Sequence, residues 1–209
     1  MERMQPNMSD HTVMFLQSLQ EIIARFDPGC FDRMMDVLTD VRDNGGRIFF
    51  LGVGGSAANA SHAVNDFRKI AEIESYSPSD NVSELTARTN DDGWESSYAN
   101  WLRVSRLSAR DAVFVFSVGG GNIAQGVSVN IVRSLELATQ VEARILGVVG
   151  RDGGYTAQVA DACLIIPTMF EDMVTPLAET VQAVVWHLLV SHPRLRLHKA
   201  KWESVPAFT

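Results

Sequence analysis

His62 and Asp66 stand four residues apart in a segment that reads as helical. That spacing puts an imidazole and a carboxylate on one face, one turn apart. Such a pair can hold a metal ion or move a proton. Otherwise a lone histidine there packs or caps. Glu179 and His187 pair the same groups on a later, strongly apolar segment, eight residues apart. Eight residues is ~12 Å of helix rise, so they meet at one point only with both side chains extended or across a subunit boundary. An acid inside Leu177 to Val190 is costly to bury unpartnered, and the plain alternative leaves Glu179 in solvent at the helix start.

Two glycine-rich loops offer a different chemistry. Gly52-Val53-Gly54-Gly55-Ser56 follows the apolar run Arg47 to Leu51, and Ser117-Val118-Gly119-Gly120-Gly121-Asn122 follows Ala112 to Phe116. Continuous apolar runs of this length suit strands buried on both faces. Beyond the carboxyl end of such a strand, loop N–H groups and the next helix N-terminus favour an anion. Ser56 and Ser117 add hydroxyl donors. Tight turns use glycine for geometry alone, but two such loops after buried strands point to a phosphate site. The first loop lacks the third glycine and the later acidic residue of a dinucleotide fingerprint, and no Gly-Lys-Ser/Thr follows it. Asn90-Asp91-Asp92-Gly93 reads as a polar turn.

These residues need elements to position them. Apolar spacing predicts helices over Val13 to Ala24 and Phe31 to Asn44, ahead of the first strand. Further helices are expected over Ala57 to Ile70, Val127 to Val141 and Leu177 to Val190. Arg144 to Val149 and Cys163 to Pro167 complete four expected strands, and Gly150-Arg151-Asp152-Gly153-Gly154 closes the third. Strands alternating with helices predict an α/β fold, a parallel sheet covered on both faces as a three-layer sandwich. At 209 residues this is a single domain, with a helical extension over about 10–44 and a charged, aromatic tail over about 194–209. Arg68, Lys69, Arg103, Arg106 and Arg110 read as solvated surface, and Trp94, Trp101 and Trp186 as core or interface.

Composition excludes several classes. Hydrophobic residues at 46% and charged residues at 21% describe a globular chain, not a disordered one. A net charge of -7 argues against a general nucleic-acid binder. No apolar run approaches the ~18–20 residues of a membrane span. Met1 to Asp10 lacks a secretory pattern, and Cys30 and Cys163 read as buried free thiols, so a cytoplasmic setting is expected.

The run Gly52-Val53-Gly54-Gly55-Ser56-Ala57-Ala58-Asn59-Ala60-Ser61-His62, with Asp66 after it, resembles the sugar isomerase (SIS) domain of phosphoheptose isomerases. Asn90-Asp91, the Ser117 loop, Gly150 to Gly154, and Glu179 with His187 follow in the family's order, so the resemblance covers roughly residues 10–192. It implies a flavodoxin-like sheet and a homotetramer with sites at subunit interfaces. It implies conversion of sedoheptulose 7-phosphate to D-glycero-D-manno-heptose 7-phosphate. It also implies zinc held by His62, Asp66, Glu179 and His187, with Asp66 and His187 as the proton-transfer pair. Substrate contacts carry over to Val53, Gly54, Gly55, Ser56, Asn90, Asp91 and Glu179. The phosphate loop carries over to Ser117, Val118, Gly119, Gly120 and Gly121, with Ser128 matching the last serine.

The chain departs from that pattern at marked positions. Val53 replaces an asparagine, Asp66 a glutamate and Glu179 a glutamine. The phosphate loop is richer in glycine, poorer in hydroxyls and longer. Aldose–ketose isomerisation moves a proton between adjacent carbons through an enediol(ate), which needs one group for the carbon proton and another for the oxygen proton. The competing readings are a non-catalytic SIS-domain protein, binding a phosphosugar or a replication initiator, and an isomerase for another phosphosugar. A nucleotide-binding oxidoreductase lacks its fingerprint.

Overall fold

The computed structural model describes residues 8–205. The reading of Met1 to Asp10 falls mostly outside them, as do the last four residues of the tail. Two helices lead, α1 (Met8–Ala24) and α2 (Pro28–Asp43). The α2 start is built by Asp27, whose carboxylate accepts from the Gly29 N–H at 2.9 Å, followed by Pro28 at the first helical position.

The sheet then forms from β1 (Ile48–Leu51), β2 (Ser75–Tyr76), β3 (Ala112–Ser117), β4 (Arg144–Val149) and β5 (Ala162–Ile165). All pairings are parallel, in the order β2-β1-β3-β4-β5, which is the flavodoxin-like arrangement. The intervening helices are α3 (Gly55–Ile70), α4 (Val82–Asp91), α5 (Trp94–Val104), α6 (Val129–Gln140) and α7 (Gly154–Val159). A 3₁₀ turn (Glu171–Met173) leads into α8 (Val174–Ser191), and α9 (Lys201–Ser204) lies in the tail.

Strand alternation builds two cores, one on each face. Phe50, Phe114, Phe116, Leu146 and Val148 pack with α2, α3 and α8 residues such as Met34, Phe67, Val181 and Trp186. Phe49, Leu51, Val113, Val115 and Ile145 pack with Tyr98, Leu102, Ile131 and Leu135 from α5 and α6. The three-layer reading therefore stands.

Several expectations need correction. The stretch between α3 and β3 contains an edge strand and two helices. Asn90 and Asp91 are not a turn but the last turn of α4, and the chain reverses at Asp92 and Gly93, where φ is +83°. α6 begins at Val129 because Asn122 and Val127 pair in a small antiparallel bridge and Ser128 is left-handed at φ +49°. Cys30 is buried, but Cys163 is half-buried; both are free. Glu171–Ser191 is long and apolar enough to cross a membrane by length and composition. Of its most apolar window 56% is buried against the sheet and α3, so it is a core helix here.

Candidate active site

The order of the sheet reverses between β1 and β3, so their carboxyl ends flank the crevice where open α/β sheets bind ligands. Both glycine loops leave the sheet there. A cavity of about 760 Å³ opens beside them. Val53, Ser56, Ser117, Val118, Gly119 and Ser128 line it, as the sequence reading expects. Asn122, Gln125, Arg151, Asp152, Thr168 and Glu171 line it too and were not assigned a role from sequence.

The second loop is fixed from behind. The Gly120 carbonyl accepts from the Thr156 N–H at 3.0 Å and the Thr156 hydroxyl at 2.7 Å, and the Gly121 carbonyl accepts from the Tyr155 N–H at 2.9 Å. A side chain at Gly120 would run into the Gly153 carbonyl, and φ there is +69°. Gly120 and Gly121 are thus buried supports. Ser117 Oγ accepts from the Gly120 N–H at 3.0 Å, which leaves its own proton to donate.

The first loop is held differently. The buried Tyr98 hydroxyl donates to the Gly52 carbonyl at 2.8 Å, and burial pushes the phenol up to about 12, so it stays a donor. Glu179 lies at the start of α3: a side chain at Gly55 would run into its carboxylate oxygens. The positive end of α3 thus already faces an internal carboxylate. Gln182 is buried below, donating to Ser56 Oγ at 3.1 Å and accepting from Asn59 Nδ2 at 2.8 Å, which ties α3 to α8.

Further along α3, His62 Nε2 stands 3.6 Å from Asp66 Oδ2, and His187 Nε2 approaches the same oxygen at 3.5 Å from α8. The two imidazoles meet edge to face, with centroids 5.5 Å apart. Asp66 is buried, whereas both histidines face solvent. The Trp186 indole N–H donates to Asp66 Oδ2 at 3.1 Å, and Asn65 Nδ2 donates to Oδ1 at 3.0 Å. His187 Nδ1 lies 2.8 Å from the Ala183 carbonyl. A carbonyl only accepts, so Nδ1 carries a proton, and Nε2 is the ring nitrogen turned toward Asp66.

Those separations suit a cation. Tetrahedral zinc with bonds of ~2.1 Å sets its ligand atoms ~3.4 Å apart. His62, Asp66 and His187 each offer an atom within 4.8 Å of the others. Glu179, read as a fourth ligand, stands outside this cluster because two turns of α8 carry it to the N-terminus of α3. Asn90 and Asp91 are exposed on α4, hydrogen-bonded to each other at 2.7 Å, and do not line the cavity of their own chain. Gly54 is exposed at φ +64° and likewise lies outside the lining. Trp186 and Gln182 have no signal of their own in sequence, since both sit inside an apolar helix.

The fold is that of the sugar isomerase class. The phosphoheptose isomerase of Neisseria gonorrhoeae superposes with a TM-score of 0.75 at 22% identity, covering 87% of this chain and 94% of that one, a likeness of fold. Over 179 residues the chain is 31% identical to the phosphoheptose isomerase of Helicobacter hepaticus, covering 83% of this chain and 85% of that protein. It thus belongs to the phosphoheptose isomerase family. It is also 31% identical over 182 residues to the lincomycin biosynthesis protein LmbN of Streptomyces lincolnensis, covering 82% of this chain and 64% of that protein, less than two thirds of its length. No protein-family model matches the chain.

Proposed function

We propose that this protein interconverts a phosphorylated ketose and aldose, first of all sedoheptulose 7-phosphate and D-glycero-D-manno-heptose 7-phosphate. The observation that carries the reading is two imidazole nitrogens converging on one buried carboxylate oxygen, with His62 and Asp66 on the same helix α3 whose first turn sets Ser56 in the wall of the serine- and glycine-lined cavity. Asp66 takes the proton from one carbon and returns it to its neighbour. Trp186 holds the carboxylate in place for that step. His187, fixed by the Ala183 carbonyl, offers Nε2 either to exchange the oxygen proton or to hold a metal ion, two roles that compete for that one nitrogen. Ser117, Ser128 and the adjoining loop hold the phosphate.

Zinc belongs to the same proposal. His62, Asp66 and His187 would hold it, which leaves a position open, as in catalytic zinc sites. When bound it would polarise the carbonyl oxygen of the sugar. A homotetramer in the cytoplasm is also part of the reading. Asn90 and Asp91, exposed and outside their own cavity, are then free to serve a partner's site. The glycine-rich 117–121 loop favours, as the second reading, the same chemistry on another phosphosugar.

The test is incubation with sedoheptulose 7-phosphate, with and without chelator, followed by NMR of the sugar. The expected result is heptose 7-phosphate, at least ~10³-fold less of it with Asp66→Asn, and none after zinc is stripped. Turnover undiminished in Asp66→Asn removes Asp66 as the base. No product from folded, zinc-supplied protein defeats the heptose reading and sends the assay to other ketose phosphates.

A further inference from the structure

The cavity wall carries an unbalanced charge. Among its described lining residues the acids are Asp152 and Glu171, and the one cation is Arg151. A phosphate dianion placed there meets two carboxylates. The 117–121 loop, with its single serine, does not offset them by hydroxyls alone. Arg151 forms no ion pair and no side-chain hydrogen bond among the described residues, so all its guanidinium donors are available. Its stem crosses the phosphate loop: a Cβ built on Gly119 would lie 3.7 Å from Arg151 Cδ. Its backbone is left-handed at φ +53°, a conformation that glycine adopts more readily. The turn that carries it is joined to the loop by the Gly150 N–H to Ser117 carbonyl bond at 3.3 Å and by the Thr156 bonds to Gly120. Arg151 is therefore set in fixed register with Ser117, on strained backbone, and without a partner of its own.

We propose that Arg151 is the phosphate anchor of this site, supplying by charge what the loop lacks in hydroxyls. This rests on the phosphosugar reading above. It makes the chain selective for phosphorylated over neutral sugars chiefly through one side chain.

The experiment compares the parent with Arg151→Gly and Arg151→Lys. Inorganic phosphate is titrated by calorimetry, and turnover is measured with sedoheptulose 7-phosphate and with unphosphorylated sedoheptulose. Arg151→Gly removes the charge and relieves the left-handed backbone, so its melting temperature should equal or exceed the parent's. Its phosphate Kd and its KM for the phosphosugar should rise about 30- to 100-fold, with kcat within about threefold, as loss of a charge-assisted bidentate contact predicts. Turnover of unphosphorylated sedoheptulose should not change, and Arg151→Lys should recover part of the affinity. Parent-like phosphate affinity in Arg151→Gly overturns the proposal. Phosphate bound by the parent and lost in Arg151→Gly upholds the anchor even if no ketose phosphate is turned over, in which case the isomerase reading alone fails. A parent that binds no phosphate overturns both.

Discussion

Asp66 reaches the cluster with a side chain one methylene shorter than the glutamate its family resemblance places there. The surrounding donors explain how the short carboxylate stays in place. Oδ2 takes the Trp186 indole N–H at 3.1 Å, and the indole is wedged between the Phe116 ring at 5.9 Å and the imidazoles of His62 and His187. Trp186→Phe keeps most of that packing and removes only the N–H. A hydrogen bond to a charged group is worth ~1.5–3 kcal/mol, so the variant should lose about 2 kcal/mol in urea unfolding. Turnover should fall about 10- to 100-fold, the usual cost of losing a partner that orients a site ligand. Unfolding and turnover both at parent level would show that the indole only fills space. His62, Asp66 and His187 are legible in sequence because histidine and acid at helical spacing carry a chemical pattern. Trp186 is not, because a tryptophan within an apolar helix reads as core until the fold sets it against Asp66. Glu179 is legible as an acid in the wrong surroundings, but its partner, the start of α3, is visible only once α8 is packed beside it.

The strands are pinned by Asp111, which precedes β3. One of its oxygens accepts from the Arg47 backbone N–H at 3.0 Å and from Arg47 Nε at 3.1 Å. The other accepts from the Arg47 guanidinium at 2.9 Å and from the Ser108 N–H at 2.9 Å. Burial alone would raise this carboxyl, but the hydrogen bonds from Arg47 and Ser108, with the guanidinium's charge, outweigh it and hold the group below its ordinary value of 3.8. A depressed folded value means stabilisation that is fully present above 3.8 and is lost as pH falls from there through the folded value. Asp111→Asn should therefore cost about 3 kcal/mol at pH 7, the low end for breaking a buried pair, because Arg47 keeps 24% of its side chain exposed. The gap to the parent should narrow below about pH 4 in urea titrations; an equal gap at pH 3 would assign the loss to packing. The central strands this pair aligns are plain in sequence, since burial on both faces leaves continuous apolar runs. β2 is two residues at an edge, and α4 has no buried residue, so neither leaves a periodic signal. α5 buries only Ser97, Tyr98, Ala99 and Leu102 on its inner face, too few to set a period.

Over the whole molecule, one helix among the described residues keeps an apolar stripe in solvent. α1 sends Ile22 into the core and lays Phe15 and Leu19 against it, yet Val13, Leu16 and Ile23 are 51%, 59% and 40% exposed. Positions 13, 16 and 23 fall on one stripe of a helix, and α1 packs on α8, where Leu188 is 41% exposed beside His187. A stable protein contact covers about 800 Å² per partner, and an apolar stripe on an N-terminal helix is suited to start one. α1 packs on the helix that carries His187, so a partner seated on α1 would come near the residues proposed above to move protons. Leu16→Glu sets a charge at the most exposed point of the stripe, where it is harmless in a monomer and costly in a dry interface. The parent should sediment as a tetramer, and the variant as smaller species with unchanged helical circular dichroism. If the partner borders the site, turnover should fall about 10- to 100-fold with dissociation, the scale of a slight misplacement of reacting groups. A monomeric parent would remove the tetramer and leave Asn90 and Asp91 without a site to serve. A variant that dissociates but keeps parent turnover would show instead that each chain carries its site whole.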